Sequence, residues 1–469
     1  MTLKNRSFVT IDDFSVGEMD AVFTLADEIA GAMPEQLDVC RGKIMASLFF
    51  EPSTRTRLSF ETAMHRLGGS VITANEIGAT SLAKGESIAD MARVVGSYAD
   101  IIVIRHPWEG AARVIADYAG IPVINAGDGG HQHPTQTLLD LYTIRKERQN
   151  IRGLNIALWG DLKYGRTIHS LIFALAKFGA NILFCPSPGL EVPEHVIQKL
   201  ITEYGGEVEK YTPDIKKKSS LFPLNAIYTT PNSPHQLAMM PDIDMDMELK
   251  TGVDALYVTR PQKERFSAEE QSAKSEYPVV DKKLLTGKSF RKTMVMHPLP
   301  RVDELAYELD ADPRSMYFKQ AAQGVPVRMA LMAMLLGKKD VQVIDNNIVP
   351  KNTGYALYDR DSGIKCPNPR CVSIQPTETK YLKPSFKIVG YEPLTLRCSY
   401  CEHGFEPQYI ASIEWHEGKT DSKKYHSAAS HWAKQIKPEN LIIFNTAADA
   451  EANGFKPSHF VKNAAEKIE

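Results

Sequence analysis

The sequence predicts an α/β protein with two doubly wound parallel-sheet domains, followed by a small β-rich domain and a small α+β tail domain. Two successive sets of short apolar runs alternate with helical patterns, and this alternation is typical of parallel sheets covered by helices. At 469 residues the chain is too long for a single hydrophobic core. A cluster of cysteines between positions 366 and 401 sets the last part of the chain apart as a separate unit.

The first set of elements begins with a buried strand at Ile44–Phe50. Glu51-Pro52 ends this strand, and apolar residues at mostly three- and four-residue spacing then predict a helix that stops at Gly68-Gly69. A later helix is predicted over Gln136–Gln149. The other strands of this set are Ser70–Ala74, Ile101–Ile104 and Pro122–Asn125.

The second set of elements ends with an apolar helix at about Val327 to Leu336, which stops at Gly337. Its predicted strands are Leu154–Trp159, Ile182–Cys185, Ala226–Tyr228, Ala255–Val258 and Met294–Met296. The predicted divisions of the chain are 1–140 together with a return helix over 305–337, 141–304, a linker over 338–358, 359–412 and 413–469.

The composition is that of an ordinary globular protein, with 43% hydrophobic and 24% charged residues and a net charge of −2. This balance predicts no general attraction to nucleic acid or to an anionic membrane. Residues 1–13 lack the apolar core of a signal peptide, and no later run is long enough to span a bilayer. We therefore expect a cytoplasmic protein. Cys40 and Cys185 lie apart from the other cysteines, and we expect them to act as small apolar residues.

A dense group of hydrogen-bond donors follows the first strand, at the start of the predicted helix. The group consists of Ser53, Thr54, Arg55, Thr56 and Arg57. Free backbone N–H groups at a helix start attract anions, and hydroxyls and guanidiniums suit phosphate oxygens. The simpler alternative is a capped surface helix with two solvated arginines.

Two more polar loops follow strands of the same set. Arg105-His106-Pro107 comes after Ile101–Ile104, and the stretch from Asn125 to Thr137 comes after Pro122–Asn125. Ligands of open α/β sheets bind at the carboxyl ends of the strands, so these loops should border one site. Taken singly, Arg105 could form a surface salt bridge and His133 could cap a helix.

The combination of SxRxR, RHP and HPTQ resembles the aspartate and ornithine carbamoyltransferases, and the resemblance extends over about the first 335 residues. It implies that Ser53, Thr54, Arg55 and Thr56 hold the phosphate of carbamoyl phosphate. It also implies that Arg105, Thr56 and His133 bind the carbonyl oxygen and that Gln136 contacts the amino group. The family needs no cofactor for catalysis and forms no covalent intermediate.

The polar stretch from Thr80 to Ser87 reads by itself as a flexible loop with one lysine. In aspartate carbamoyltransferases a similar loop reaches into the active site of the neighbouring subunit. The resemblance therefore implies that Ser81 and Lys84 contact the phosphate there, and that Lys84 also meets the second substrate. It implies a homotrimer with shared active sites, and allows a higher assembly of trimers.

Loops of the second set supply residues for an amine substrate that carries two carboxylates. Arg166 and Arg260 could each bind one carboxylate, because a guanidinium pairs bidentately with that group. Gln262 and the backbone around Pro298-Leu299 would orient the amine. The motifs by which ornithine enzymes recognise a cationic amino acid are missing, so the resemblance favours aspartate and a role in pyrimidine biosynthesis. Pro261 departs from the valine usual in the Arg-Val-Gln of the family.

Cys366, Cys371, Cys398 and Cys401 form a C-x4-C…C-x2-C pattern, which predicts a structural zinc site. The alternative is four unrelated buried thiols. The surrounding sequence resembles the zinc domain of the aspartate carbamoyltransferase regulatory chain, so the chain reads as a fusion. The linker over 338–358 is too short to contain the nucleotide-binding domain of that regulatory chain. Within the linker, Val341–Asn347 resembles only the last strand of that domain.

The tail, 413–469, resembles the small metal-binding domain of the Ada DNA-repair protein, through Tyr425–Asn440 and Gly454–Ser458. The positions that match the cysteine ligands of Ada are His426, Ser430, Ser458 and Val461. No thiolate remains at these positions, so we predict a metal-free packing domain.

Two rival hypotheses stay open at this point. One is a carbamoyltransferase that uses another acidic amine. The other is a catalytically dead scaffold or nucleic-acid-binding protein built on the zinc module; the presence of Arg105, His133, Arg166 and Arg260 argues against it.

Overall fold

The computed structural model describes most of the chain. The described residues are 3–33, 37–75, 84–187, 189–205, 208–211, 226–229, 252–266, 279–287, 290–339, 354–360, 362–413 and 423–461. None of the helices in these ranges is both long and apolar enough to cross a membrane.

The first domain is built on a four-stranded parallel sheet in the order β2-β1-β3-β4. Its strands are β1 (Ile44–Phe49), β2 (Ser70–Ala74), β3 (Ile101–His106) and β4 (Val123–Asp128). Its helices are α1 (Val16–Ala32), α2 (Thr54–Arg66), α3 (Ile88–Gly96), α4 (Ala111–Tyr118) and α5 (Pro134–Arg148). Strands β1, β3 and β4 are buried along almost their whole length, as expected for a sheet with helices on both faces.

The second domain has a six-stranded parallel sheet in the order β10-β9-β5-β6-β8-β7. Its strands are β5 (Asn155–Gly160), β6 (Asn181–Pro186), β7 (Val208–Tyr211), β8 (Ala226–Thr229), β9 (Ala255–Val258) and β10 (Met294–Met296). Helices α6 (Arg166–Phe178) and α7 (Glu194–Tyr204) pack on this sheet. Helix α8 (Tyr317–Leu335) follows β10 in the chain. The two parallel-sheet domains confirm the predicted fold class.

Helix α8 returns to the first domain and packs against α1, α2 and α5. The helix begins at Tyr317, ten residues before the predicted start at Val327. The prediction started too late because Gly324 and Pro326, which lie inside the helix, resemble a helix break in the sequence. The buried surroundings of the helix explain Gly324, since a Cβ there would collide with the guanidinium of Arg328. Apolar residues of both domains therefore join in one continuous core.

Two small units follow, each with a four-stranded sheet. The metal module carries β11 (Ala356–Tyr358), β12 (Phe386–Tyr391), β13 (Leu394–Cys398) and β14 (Gly404–Phe405). The tail carries β15 (Tyr409–Ser412), β16 (Lys424–Ser427), β17 (Leu441–Phe444) and β18 (Lys456–Pro457), with α9 (Trp432–Gln435) and α10 (Ala447–Ala452). Strand β15 pairs with β16 and β17, so the tail sheet extends across the predicted division between residues 412 and 413.

The metal module packs against the first domain through backbone pairing. Glu109 donates its N–H to the Arg370 carbonyl at 2.8 Å and accepts from the N–H of Val372 at 2.9 Å. The side chain of Asn368 donates to the Glu109 carboxylate at 2.7 Å. The module also reaches the second domain, where Arg397 forms an ion pair with Glu203. It therefore contacts both halves of the α/β body.

Candidate active site

A cleft of about 600 Å³ opens where the carboxyl-end loops of the two sheets meet. It brings together residues predicted on separate loops of both domains. The predicted site residues along its walls are Ser53, Thr54, Arg55, Thr56, Arg105, His133, Gln136, Arg166, Arg260, Gln262, Pro298 and Leu299.

The start of α2 forms one wall of the cleft. Ser53 occupies the N-cap position, and its side chain makes no capping hydrogen bond to the described helix. Thr56 is buried and Arg55 is exposed. Arg57, which the sequence offered as a further anion donor, does not border the cleft and instead pairs with Glu61 at 3.9 Å. The uncapped helix start is suited to bind an anion.

Arg105 lies at the end of β3 and points its guanidinium into the cleft from a buried position. Its Nη1 donates to the carbonyl of Ala126 at 3.3 Å, while its Nε has no aligned hydrogen-bond partner among the described residues. Burial and the neighbouring Arg166 hold the pKa of Arg105 well below its ordinary value. An acceptor from a ligand would satisfy this guanidinium.

Glu51 joins the guanidiniums across the cleft, a role that the sequence did not reveal. Its carboxylate lies 2.6 Å from Arg166 Nη1, 3.3 Å from Arg265 Nη2 and 3.5 Å from Arg105 Nε. Burial alone would raise the pKa of Glu51, but the positive charges of Arg166 and Arg105 lower it, so Glu51 is ionised. Because Glu51 belongs to the first domain and Arg166 to the second, this cluster links the two domains.

His133 begins α5 as its N-cap, and its backbone N–H donates to Ser170 Oγ at 2.8 Å. Burial and the charges of Arg105 and Arg166 lower the pKa of His133 well below its ordinary value. The imidazole is therefore neutral at pH 7 and can donate one N–H to a ligand.

Asp140 organises a second set of contacts behind the cleft. Its carboxylate accepts from Gln136 Nε2 at 2.8 Å, Gln320 Nε2 at 2.6 Å and the Tyr257 hydroxyl at 2.8 Å. Burial raises the pKa of Asp140 to about 7. Since the amide nitrogen of Gln136 is turned toward Asp140, its carbonyl oxygen is available to accept a hydrogen bond in the cleft.

The second-domain loops are braced by buried carboxylates. Asp161 accepts from the backbone N–H groups of Gln262 at 2.9 Å and of Lys163 at 3.1 Å. His297 Nε2 lies 2.9 Å from Glu304, and its Nδ1 accepts from the N–H of Leu299 at 2.8 Å. These contacts fix the loops that carry Arg260, Gln262, Pro298 and Leu299.

Two further site residues, Ser81 and Lys84, were predicted to serve the cleft of a neighbouring subunit. Ser81 lies outside the described residues. Lys84 is exposed and does not border the cleft as the described residues define it.

The four clustered cysteines form a compact group in the metal module. Cys366 Sγ lies 3.6 Å from Cys401 Sγ, and Cys371 Sγ lies 3.7 Å from Cys398 Sγ. These separations exclude disulfides, whose S–S length is about 2.05 Å. They fit a tetrahedron around one ion, because metal–sulfur bonds of about 2.3 Å give edges of about 3.8 Å. All four thiols are buried, and they are the metal-ligand group found among the described residues.

The tail positions that match the ligands of Ada lie around one cavity of about 1130 Å³. His426, Ser430, Ser458 and Val461 all border it. Ser458 is buried, and its hydroxyl has no hydrogen-bond partner among the described residues. The similarity of the tail to that domain stays a prediction.

Three segments of the chain match known protein families. Residues 6–146 match the carbamoyl-P binding domain of aspartate/ornithine carbamoyltransferase, and residues 152–335 match the Asp/Orn binding domain. Residues 361–411 match the metal binding domain of the aspartate carbamoyltransferase regulatory chain.

Similar proteins carry the same two-domain body. An aspartate carbamoyltransferase catalytic subunit of Thermoplasma acidophilum is 46% identical over 344 residues, which are 71% of this chain and 99% of the relative. One from Thermococcus kodakarensis is 47% identical over 341 residues, which are 72% of this chain and 99% of the relative.

Solved structures give the same result. The catalytic subunit of aspartate transcarbamoylase from M. jannaschii is 42% identical with a TM-score of 0.57, covering 71% of this chain and 98% of its own. The Trypanosoma cruzi enzyme in complex with carbamoyl phosphate and aspartate is 35% identical with a TM-score of 0.59, covering 71% and 98%.

Proposed function

Because this chain belongs to the aspartate/ornithine carbamoyltransferase family, we propose that the arginine-rich cleft between its two α/β domains is the active site. The activity is aspartate carbamoyltransferase: the carbamoyl group passes from carbamoyl phosphate to the amine of L-aspartate. The observation that carries the assignment of the site is the convergence of Arg105 and His133 with Arg166 and Arg260 on one cleft.

Carbamoyl phosphate lies at the start of α2 in this proposal. Ser53, Thr54, Arg55 and Thr56 hold its phosphate, supported by the uncapped helix start on the wall of the cleft. The carbonyl oxygen of Gln136 accepts from the carbamoyl amino group, because the Gln136 amide nitrogen is held by Asp140.

In the chemical step the aspartate amine attacks the carbonyl carbon. A C–N bond forms and the C–O bond to phosphate breaks, while the departing phosphate takes the proton that the amine loses. Negative charge develops on the carbonyl oxygen, where Arg105, Thr56 and neutral His133 donate hydrogen bonds. Donors placed in advance at such an oxygen lower the barrier, as in an oxyanion hole.

The two carboxylates of aspartate bind Arg166 and Arg260 in this proposal, while Gln262 and the backbone at Pro298-Leu299 orient the amine. The guanidiniums give the second-domain wall a positive charge, which repels the cationic side chain of ornithine and attracts the side-chain carboxylate of aspartate.

The test is product formation by the purified chain, with carbamoyl phosphate and either aspartate, glutamate or ornithine. Carbamoyl-aspartate should accumulate, with little product from the other amines. Glutamate as the better substrate would support another acidic amine, and no product from any amine in a folded protein would support an inactive scaffold.

We propose a homotrimer with shared active sites, in which Ser81 and Lys84 serve a neighbouring subunit. The exposed position of Lys84 away from its own cleft supports this arrangement. Trimers could assemble further through the metal module. We also propose that the protein is cytoplasmic, acts in pyrimidine biosynthesis, and binds neither nucleic acid nor membranes.

Mixing two inactive variants tests the sharing of sites. Lys84→Ala and Arg105→Ala should regain activity when their subunits are exchanged, because some sites then combine native Lys84 with native Arg105. The matched control is Arg105→Ala mixed with His133→Ala, which should stay inactive because both residues lie in one subunit's cleft. No recovery in the first mixture, after subunit exchange is verified by mass, would contradict a shared site.

The ion in the metal module is zinc in this proposal, with a structural role. Four thiolates at tetrahedral separations support that choice.

A further inference from the structure

We propose that Glu402, in the metal module, is a positioning residue for carbamoyl transfer because it holds an active-site segment in place. This segment, called loop 126–133 below, runs from the last residues of β4 to the N-cap of α5. Glu402 follows the cysteine Cys401 directly, yet its side chain leaves the module and enters the α/β body. The inference rests on the proposed function of the cleft, and it assigns a role in that function to the fused module.

Glu402 contacts the loop at the two residues just before His133. Its Oε2 accepts from Gln132 Nε2 at 2.7 Å and lies 3.2 Å from His131 Nε2. Burial disfavours the charged imidazole, but Asp128 and Glu402 together raise the pKa of His131 to about 10. His131 is therefore an imidazolium at neutral pH, and its contact with Glu402 is a charge-assisted hydrogen bond.

The opposite side of the same loop orients the active-site groups. The carbonyl of Ala126 accepts from Arg105 at 3.3 Å, and the carbonyl of Gly129 accepts from Arg166 at 2.7 Å. His133 closes the loop and borders the cleft itself. A shift of the loop therefore moves an anchor of Arg105, an anchor of Arg166 and the imidazole of His133 together.

Glu402 is itself held in place from a third direction. Lys199 on α7 donates to its Oε1 at 3.0 Å, and Lys199 also donates to Asp12 at 2.7 Å. The backbone of Glu402 has a φ of 56°, a left-handed conformation that costs a non-glycine residue energy. Strained backbone beside polar contacts with three buried residues, His131, Gln132 and Lys199, indicates that this side chain is placed where it is for those contacts.

The alternative is that Glu402 only attaches the module to the body. The ion pair between Arg397 and Glu203 provides the comparison, because it also joins the module to the second domain. The side chains of Arg397 and Glu203 are 6% and 10% exposed, and those of Lys199 and Glu402 are 4% and 20% exposed. Neither Arg397 nor Glu203, however, forms a hydrogen bond or ion pair with loop 126–133. Removing the carboxylate of Glu203 or of Glu402 weakens the attachment of the metal module to the α/β domains. Only the removal of the Glu402 carboxylate also releases loop 126–133.

The test compares Glu402→Ala with Glu203→Ala in the full, metal-loaded chain. Both should lower the melting temperature. Glu402→Ala should also raise the dissociation constant for carbamoyl phosphate about tenfold and lower kcat, because a loop that bears binding groups loses its outer support. Glu203→Ala should leave both quantities within about twofold of the unsubstituted chain. Glu402→Gln, which keeps an acceptor for Gln132, should recover most of the affinity.

Equal effects of Glu402→Ala and Glu203→Ala on carbamoyl phosphate binding would overturn the proposal. If Glu402→Ala does not fold, Gln132→Ala removes the hydrogen bond between Gln132 and Glu402 by changing the loop residue instead. It should weaken carbamoyl phosphate binding to a similar degree. An unchanged dissociation constant for carbamoyl phosphate would also overturn the proposal. Failure of the proposed function is distinguishable, because the unsubstituted chain would then form no carbamoyl-aspartate.

Discussion

Arg105→Ala should lower the rate of carbamoyl transfer by roughly 10³-fold while the protein stays folded. Arg105 is a buried guanidinium on the wall of the cleft, and its Nε has no aligned partner in the described part of the protein. In the proposed step it faces the oxygen on which charge develops. Water that fills the space left by alanine cannot supply a fixed positive charge there.

The rate should be measured with saturating carbamoyl phosphate and aspartate, alongside thermal unfolding. Arg93→Ala is the matched control, because Arg93 lies on α3 of the same domain, pairs with Asp90 and is exposed. Its kcat should stay within about twofold of the unsubstituted chain. A near-normal kcat for folded Arg105→Ala would contradict the assignment of Arg105 to the reacting oxygen.

Removing the metal should produce the largest loss of stability. The four thiols are buried together in the core of the small metal module, where they lose their common ligand when the ion is extracted. Binding of structural zinc contributes on the order of 10 kcal/mol in small zinc domains, so the module should unfold without its metal. Its contacts with Glu109 and Glu203 should be lost at the same time.

Cys371→Ser should prevent metal binding without the use of a chelator, because it removes one of the four thiol ligands. It should abolish stoichiometric metal binding and remove a cooperative unfolding transition, as followed by metal analysis and calorimetry. Cys40→Ala is the control, because Cys40 is also buried but lies in the core of the first domain. A protein that contains no metal and melts like the native chain would show that the cysteine cluster is not structural.

The loops that form the cleft could be predicted from the sequence because each directly follows an apolar strand. SxRxR, RHP and HPTQ therefore had to lie at one edge of a parallel sheet, and the structure places them there. Most strand ends were also predictable to within a few residues. Helix α8 was the clear exception, because Gly324 and Pro326 are tolerated only in its packed surroundings.

The supporting residues of the site could not be predicted, because distant segments create them. Glu51 reads in the sequence as a residue that ends a strand, and only folding places Arg166 and Arg265 beside it. Asp140 looks like an ordinary helix residue until Gln320 on α8 and Tyr257 in the second domain reach it. Glu402 lies far along the chain from the loop it contacts. Pairs at such separations leave no local pattern.

The central claim is that one cleft binds carbamoyl phosphate and aspartate side by side. The most direct test is calorimetric titration with N-(phosphonacetyl)-L-aspartate, which joins analogues of both substrates in one molecule. We expect one molecule to bind per chain, more tightly than either substrate, with much weaker binding after either Arg105→Ala or Arg260→Ala. Binding that neither substitution weakens, or no binding by the folded chain, would contradict the claim.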